Sequence, residues 1–162
     1  MSVGRIPAVA DVEGELIGMV VPHAGYQYSG PTAAAAYALL RGRQFDVVVI
    51  VSPSHREYFN GISVFDGEGY LTPLGGLSVD GELRAALIKG ERSIGASPRG
   101  HGTEHAIEVQ LPFLQKVYGS VAILPVVMGD QRRDLCLLLG RKLASILAGR
   151  KALLLASSDL SH

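Results

Sequence analysis

Three short polar clusters hold most of the residues in this chain that could do chemistry. They are Pro22-His23, Ser52-Pro53-Ser54-His55 and Ser157-Ser158-Asp159-Leu160-Ser161-His162. Neutral imidazole and carboxylate suit iron, zinc or manganese, so His23, His55, His162 and Asp159 would make a metal site if the fold gathered them. Each also has an ordinary role open to it. A lone histidine after a strand is more often a surface or hydrogen-bonded residue, and Asp159 suits the cap of a turn. A fourth string, His101-Gly102-Thr103-Glu104-His105, has H-x-x-E-H spacing. Gly102 disfavours the continuous helix that would set both histidines on one face, and no glutamate follows Glu108 to serve as a further ligand. Glu104 and His105 therefore either line the same cleft as the other clusters or cap a helix start, where the dipole favours a carboxylate. Tyr26 and Tyr28 either line a pocket beside His23 or pack. There is no G-x-G-x-x-G, Walker A sequence or G-x-S-x-G elbow.

The clusters share one feature: each follows an apolar run. Leu16 to Val21, Asp46 to Val51 and Ala152 to Ala156 read as strands, the second buried on both faces because it does not alternate. Val121 to Met128 reads as another, with Pro125 suggesting an edge or a bulge. Helices are expected from Thr32 to Leu40, capped by Ser29 with Pro31 in the first turn, and from Asp80 to Lys89, stopped by Gly90. Two more are expected from Thr103 to Tyr118, kinked at Pro112, and from Asp130 to Ala148. Ile62 to Phe65 suggests a short strand, and residues 90–102 read as loop. Strands alternating with helices imply an α/β layered fold with a mostly parallel central sheet flanked by helices. In open parallel sheets ligands bind beyond the carboxyl ends of the strands, and parallel strands would bring the three clusters to one edge.

Composition narrows the function classes. The chain has 162 residues, enough for one domain over 1–162 that can bury roughly 70% of its unfolded surface. Hydrophobic residues make up 48% and charged residues 19%, which excludes a disordered chain. Fifteen basic and fifteen acidic residues cancel, so nothing attracts nucleic acid or an anionic membrane at long range. No apolar run is long enough to span a bilayer, and the first residues show no secretory pattern. A single cysteine, Cys136, excludes an internal disulfide and a Cys-based zinc site, which fits a reducing cytoplasm. It lies in an apolar helical run and reads as core.

Taken together, the clusters resemble the motifs of the Memo family, which includes the AmmeMemoRadiSam system protein B. Val21-Pro22-His23-Ala24-Gly25-Tyr26-Gln27-Tyr28-Ser29-Gly30 resembles its opening motif and Ser52-Pro53-Ser54-His55 its second. Glu104-His105-Ala106-Ile107-Glu108-Val109-Gln110-Leu111-Pro112-Phe113-Leu114 resembles the third, and Ser157 to His162 the fourth. The family's fold is similar to that of the class III extradiol dioxygenases, non-haem iron enzymes that open catechol rings. The resemblance implies His23 and His55 as metal ligands and Asp159 as a further metal-site residue. It also implies His162 as an acid/base, with His105 lining the same site. Iron(II) is the metal implied, with copper or zinc as alternatives, and the substrate would be a small aromatic molecule. Family members continue beyond the point matching His162, and that portion carries a cysteine resembling a third ligand, which Cys136 does not match. By this reading the fold is incomplete at its C-terminus, exposing a sheet edge and an apolar face and favouring self-association. The competing readings are a peptide- or phosphopeptide-binding scaffold, with Arg56 beside His55 to pair an anion, and an inactive fragment.

Overall fold

The computed structural model of the chain describes residues 12–160; residues 1–11, Ser161 and His162 lie outside the described residues. Eight strands run in chain order: β1 Gly18–Val21, β2 Val47–Pro53, β3 Ile62–Val64, β4 Gly69–Thr72, β5 Gly75–Ser78, β6 Ile94–Ala96, β7 Ala122–Met128 and β8 Ala152–Ser157. Four α-helices join them: α1 Tyr26–Ala38, α2 Gly81–Ile88, α3 Leu111–Tyr118 and α4 Arg133–Ile146.

Val47, Val48, Val49 and Ile50 of β2 are fully buried, as a run without alternation requires. Each such side chain contributes about 1.5–3 kcal/mol by leaving water. β2 lies inside a six-stranded sheet ordered β1-β8-β2-β7-β3-β6. The first four of these are mutually parallel, whereas β3 is antiparallel to β7 and carries β6 parallel to itself. One face of the sheet packs on Ala33, Ala34 and Tyr37 of α1 and on Leu111, Phe113 and Leu114 of α3. The other packs on Leu83 and Leu87 of α2 and on Leu135, Leu139 and Leu143 of α4. This is the layered α/β fold, with its mostly parallel sheet, that the sequence implies.

Several local expectations need correction. α1 begins at Tyr26 with Gly25 as its N-cap, and Ser29 lies inside the helix with its Oγ donating to the Ala24 carbonyl at 2.8 Å. Pro31 is therefore a helix-interior proline, tolerated without its N–H. Residues 103–107 are not helical, because the Glu104 carboxylate accepts the N–H groups of His105 and Ala106 and holds a turn there. Only a 3-10 turn, Glu108–Gln110, precedes α3, and Pro112 falls in the first turn of α3, where a missing N–H costs nothing. α4 starts at Arg133 rather than Asp130.

Pro125 does not mark an edge. β7 is continuous and lies between β2 and β3. The Pro125 carbonyl accepts the N–H of Phe65, and the Phe65 carbonyl, which a Pro125 N–H would have met, accepts Arg84 Nη1 at 3.0 Å instead. The expected loop 90–102 contains β6, and the β4–β5 hairpin was not expected at all. Cys136 is exposed rather than core, its Sγ placed 3.6 Å from the Gln131 carbonyl.

Candidate functional site

β1, β8 and β2 are neighbours, and each ends two residues before a candidate ligand. Val21 precedes His23, Ser157 precedes Asp159 and Pro53 precedes His55. Parallel pairing puts these ends at one edge, with Val21 in register with Ser157. There the rings of His23 and His55 stand 4.9 Å apart, with His105 at 6.0 Å from His23 and 5.9 Å from His55. His23 is buried, at 1% exposure, whereas the side chains of His55 and His105 are 41% and 45% exposed.

A chain of buried hydrogen bonds fixes the state of His23. The Tyr37 hydroxyl donates to Gln110 Oε1 at 2.9 Å, which orients the Gln110 amide. Gln110 Nε2 then donates to Ser157 Oγ at 2.8 Å and to the Pro22 carbonyl at 3.1 Å. The Ser157 hydroxyl spends its own proton on the Ala106 carbonyl at 2.6 Å. Ser157 Oγ can therefore only accept from His23 Nδ1, 3.1 Å away, so Nδ1 carries the ring proton. That leaves Nε2 as a bare lone pair, and it is buried without a hydrogen-bond partner. Asp159 Oδ1 accepts the N–H groups of His23 and Ala24 at 2.9 and 3.1 Å, and Oδ2 lies 3.8 Å from His23 Nε2. Burial lowers the pKa of His23; Asp159 pulls it back up in part, and His55 and His105 push it down again. A neutral imidazole lone pair thus faces a carboxylate across a gap too long for a hydrogen bond.

His55 is set by Glu104. This buried carboxylate accepts the His55 N–H at 2.6 Å and approaches His55 Nδ1 at 3.1 Å through both oxygens. Burial pushes the Glu104 carboxyl up, but the N–H groups of His55 and Ala106 and the His55 side chain outweigh it and hold the pKa below its ordinary value. An ionised carboxylate only accepts, so His55 Nδ1 carries a proton, and in the neutral ring Nε2 is the free lone pair. The loop bearing His55 is seated where Gly129 follows β7: Ser54 donates to the Met128 carbonyl, and Gly129 donates to that of Gly61. A Cβ at Gly129 would collide with the Phe59 backbone, so only glycine allows this seat.

Residues 7–162 match the family model described as Memo-like protein. A MEMO1 family protein of Pyrobaculum aerophilum is 41% identical over 152 residues, covering 92% of this chain and 54% of its own length. MEMO1 family proteins of Methanosarcina mazei and Aeropyrum pernix are 42% and 38% identical, covering 93% and 98% of this chain. The chain belongs to the Memo-like family. It spans about half the length of these relatives, 54–58% of each.

In this Memo-like chain the expected residues His23, His55, His105 and Asp159 converge, while His162 lies outside the described residues. The donor chemistry fits a divalent metal in part. A metal-ligating histidine ordinarily ties its second nitrogen to a carboxylate or another polar group, as His23 and His55 do. Among the described residues, however, no group of three or more His, Cys, Asp or Glu stands close enough to hold a metal ion alone. His101 does not join the cluster: it is buried with Nδ1 2.8 Å from the Tyr70 hydroxyl and its ring 5.2 Å from Phe65. Sequence reasoning missed Ser157, Gln110 and Tyr37. Two of them stood inside the motifs, and the signal was their polar character at positions bordered by apolar core.

Proposed function

We propose that this Memo-like chain contributes His23 and His55 to a non-haem metal site, iron(II) foremost with copper or zinc as alternatives, in a redox or dioxygenase-like role. The observation that carries the reading is the buried, unpartnered Nε2 of His23, fixed as a lone pair 3.8 Å from an Asp159 oxygen. Two electron-rich atoms facing one another in a buried site are relieved by a cation between or beside them. When bound, such a metal would orient a small aromatic substrate and activate dioxygen. The chain's own part is positional. Ser157 and Glu104 hold the two rings with both Nε2 lone pairs available, and Asp159 ties the His23 loop to the end of β8. His105, half exposed and facing the ring of His55, is suited to pass protons to solvent, and His162 is the second candidate for that task. A cytoplasmic location belongs to this reading, since reducing conditions keep iron as iron(II).

The test is anaerobic iron(II) loading of the full 162-residue chain, followed by elemental analysis of the desalted protein. Stoichiometric metal in the wild type, lost in the His23→Ala, His55→Ala double variant, is expected. Metal retained by that variant, or none bound by a folded wild type, rejects the assignment.

A further inference from the structure

The short strands β3 and β6, at the end of the sheet away from β1, border a groove of about 420 Å³. None of the clustered histidines lines it. Ile62, Val64 and Ile94 pack into the core under α2 and α4. Their neighbours Ser63 and Gly95, paired in register, therefore point to the other face and floor the groove. Arg92 and Ser93 stand where β6 begins, Arg99 follows its end, and Asn60 joins them from the loop before β3. Gly95 is the residue that asks for an explanation. It sits in the middle of β6 without a positive φ, and a Cβ added to it would meet nothing within 4 Å. Neither backbone conformation nor packing calls for glycine there, and glycine weakens a strand. What the missing side chain leaves is an open floor, the kind of strand position where a ligand approaches the backbone closely.

The donors around that floor are uncommitted. Arg92 makes no hydrogen bond or ion pair among the described residues. The Asn60 Oδ1 accepts the Tyr58 hydroxyl at 3.2 Å, which turns the amide so that its two N–H groups are left to donate. Arg99 meets only Glu57, 3.7 Å from its Nε, so its two terminal nitrogens are open. No carboxylate lines the groove. The backbone that carries Arg99 is held in place. Ser63, 2% exposed, donates to the Ser97 carbonyl at 3.0 Å, and Ser97 Oγ accepts the Arg99 N–H at 3.0 Å. Glu57 Oε2 accepts the next N–H, that of Gly100, at 3.2 Å.

We propose that this groove is a binding site for a small phosphate monoester. Two guanidinium groups and an amide converge with no carboxylate among them, which suits a dianionic group with three free oxygens. The volume is far more than a bare phosphate fills and lies in the range of small-molecule pockets. The ligand therefore carries an organic part, which lies over Gly95. The proposal is independent of the metal reading, because it uses none of the histidines and concerns metal-free protein.

The experiment is calorimetric titration of the full 162-residue chain with ribose 5-phosphate, in metal-free buffer at fixed ionic strength. Binding at least about tenfold tighter than that of inorganic phosphate or of ribose is expected. Arg92→Ala should weaken it about 10–100-fold through the loss of charge-assisted hydrogen bonds. Gly95→Val fills the floor and should weaken it at least about tenfold. The same variant should unfold in urea at a midpoint no lower than the wild type, because valine suits a strand and meets no atom there. Arg141→Ala, at an exposed position of α4, removes the same charge and should leave binding unchanged. On the wild-type chain, the amide NMR signals of Gly95, Ser97 and Arg99 should shift during the titration. Absence of binding overturns the proposal, as do shifts confined to His23, His55 and His105. Equal affinity in Arg92→Ala or Gly95→Val overturns it too, and so does inorganic phosphate binding as tightly as the ester.

Discussion

His23 and His101 are both buried imidazoles, and both have an Nε2 with no hydrogen-bond partner. Their surroundings differ. His23 meets two other imidazoles and a carboxylate, with its Nδ1 held by a fully committed network. His101 meets the Tyr70 hydroxyl and the ring of Phe65, away from the imidazole cluster at the strand ends. A buried histidine with an orphaned nitrogen is thus not a site in itself; the donors across from that nitrogen make it one. Burial lowers the pKa of His101 to about 4, with the Ser63 backbone and Asp66 only partly opposing it. It is a neutral packing group, kept at a cost.

The comparison can be broken at either end. The largest effect is expected at Glu104. Glu104→Ala strands the N–H groups of His55, His105 and Ala106 and should cost about 4 kcal/mol in urea unfolding, whereas Glu104→Gln should fold but weaken metal retention about 10–100-fold. An equal metal affinity in Glu104→Gln would remove the second-sphere role given to this residue.

Next comes the pH dependence that His101 should impose. Its folded pKa lies below the unfolded value of 6.5, so the unfolded chain binds more protons between those limits. The stability is fully present above pH 6.5 and is lost as pH falls toward 4, by about 3 kcal/mol at most. Urea unfolding of wild type and His101→Gln from pH 7 to 4 reads the difference, and parallel curves would contradict it.

Ser157→Ala removes the acceptor for Gln110 Nε2 and His23 Nδ1 together and should cost about 2 kcal/mol. It also frees the His23 tautomer, which NMR of the ring nitrogens would record as a mixture in place of a single Nδ1–H form. The smallest effect, about 1 kcal/mol, is expected for Tyr37→Phe, which deletes one buried hydrogen bond. Ser157→Ala and Tyr37→Phe acting additively would mean that the chain is not coupled.

The parts of this arrangement readable in the sequence were those written in uninterrupted patterns. Val47 to Ile50 could only be a strand covered on both faces, and the polar residues after Val21, Val51 and Ala156 could only stand at strand ends. The site followed from those two facts plus parallel pairing. What escaped was structure held by contacts distant in sequence. The Gly69–Thr72 and Gly75–Ser78 hairpin carries three glycines and little β-propensity, and β6 exists because β3 pairs with it. Pro125 reads as a break, yet its interior place is secured by Arg84, 41 positions away on helix α2, occupying the Phe65 carbonyl. The apolar spacing from Ala106 to Val117 mimics one helix, but the Glu104 side chain captures the backbone before the helix can start. Ser157 and Gln110 were visible as residues, and their partnership was not.

The committed hydrogens behind His23 also set the direction of proton traffic. Relaying a proton requires each member of a chain to give one hydrogen while taking another. Gln110 cannot do so as an amide, and Ser157 has already given its hydrogen to the Ala106 carbonyl. The interior side of His23 is therefore an insulator, and the Tyr37 hydroxyl cannot serve as a reservoir for it. Any proton entering or leaving the strand-end edge has to cross the open rim where His55 and His105 meet solvent.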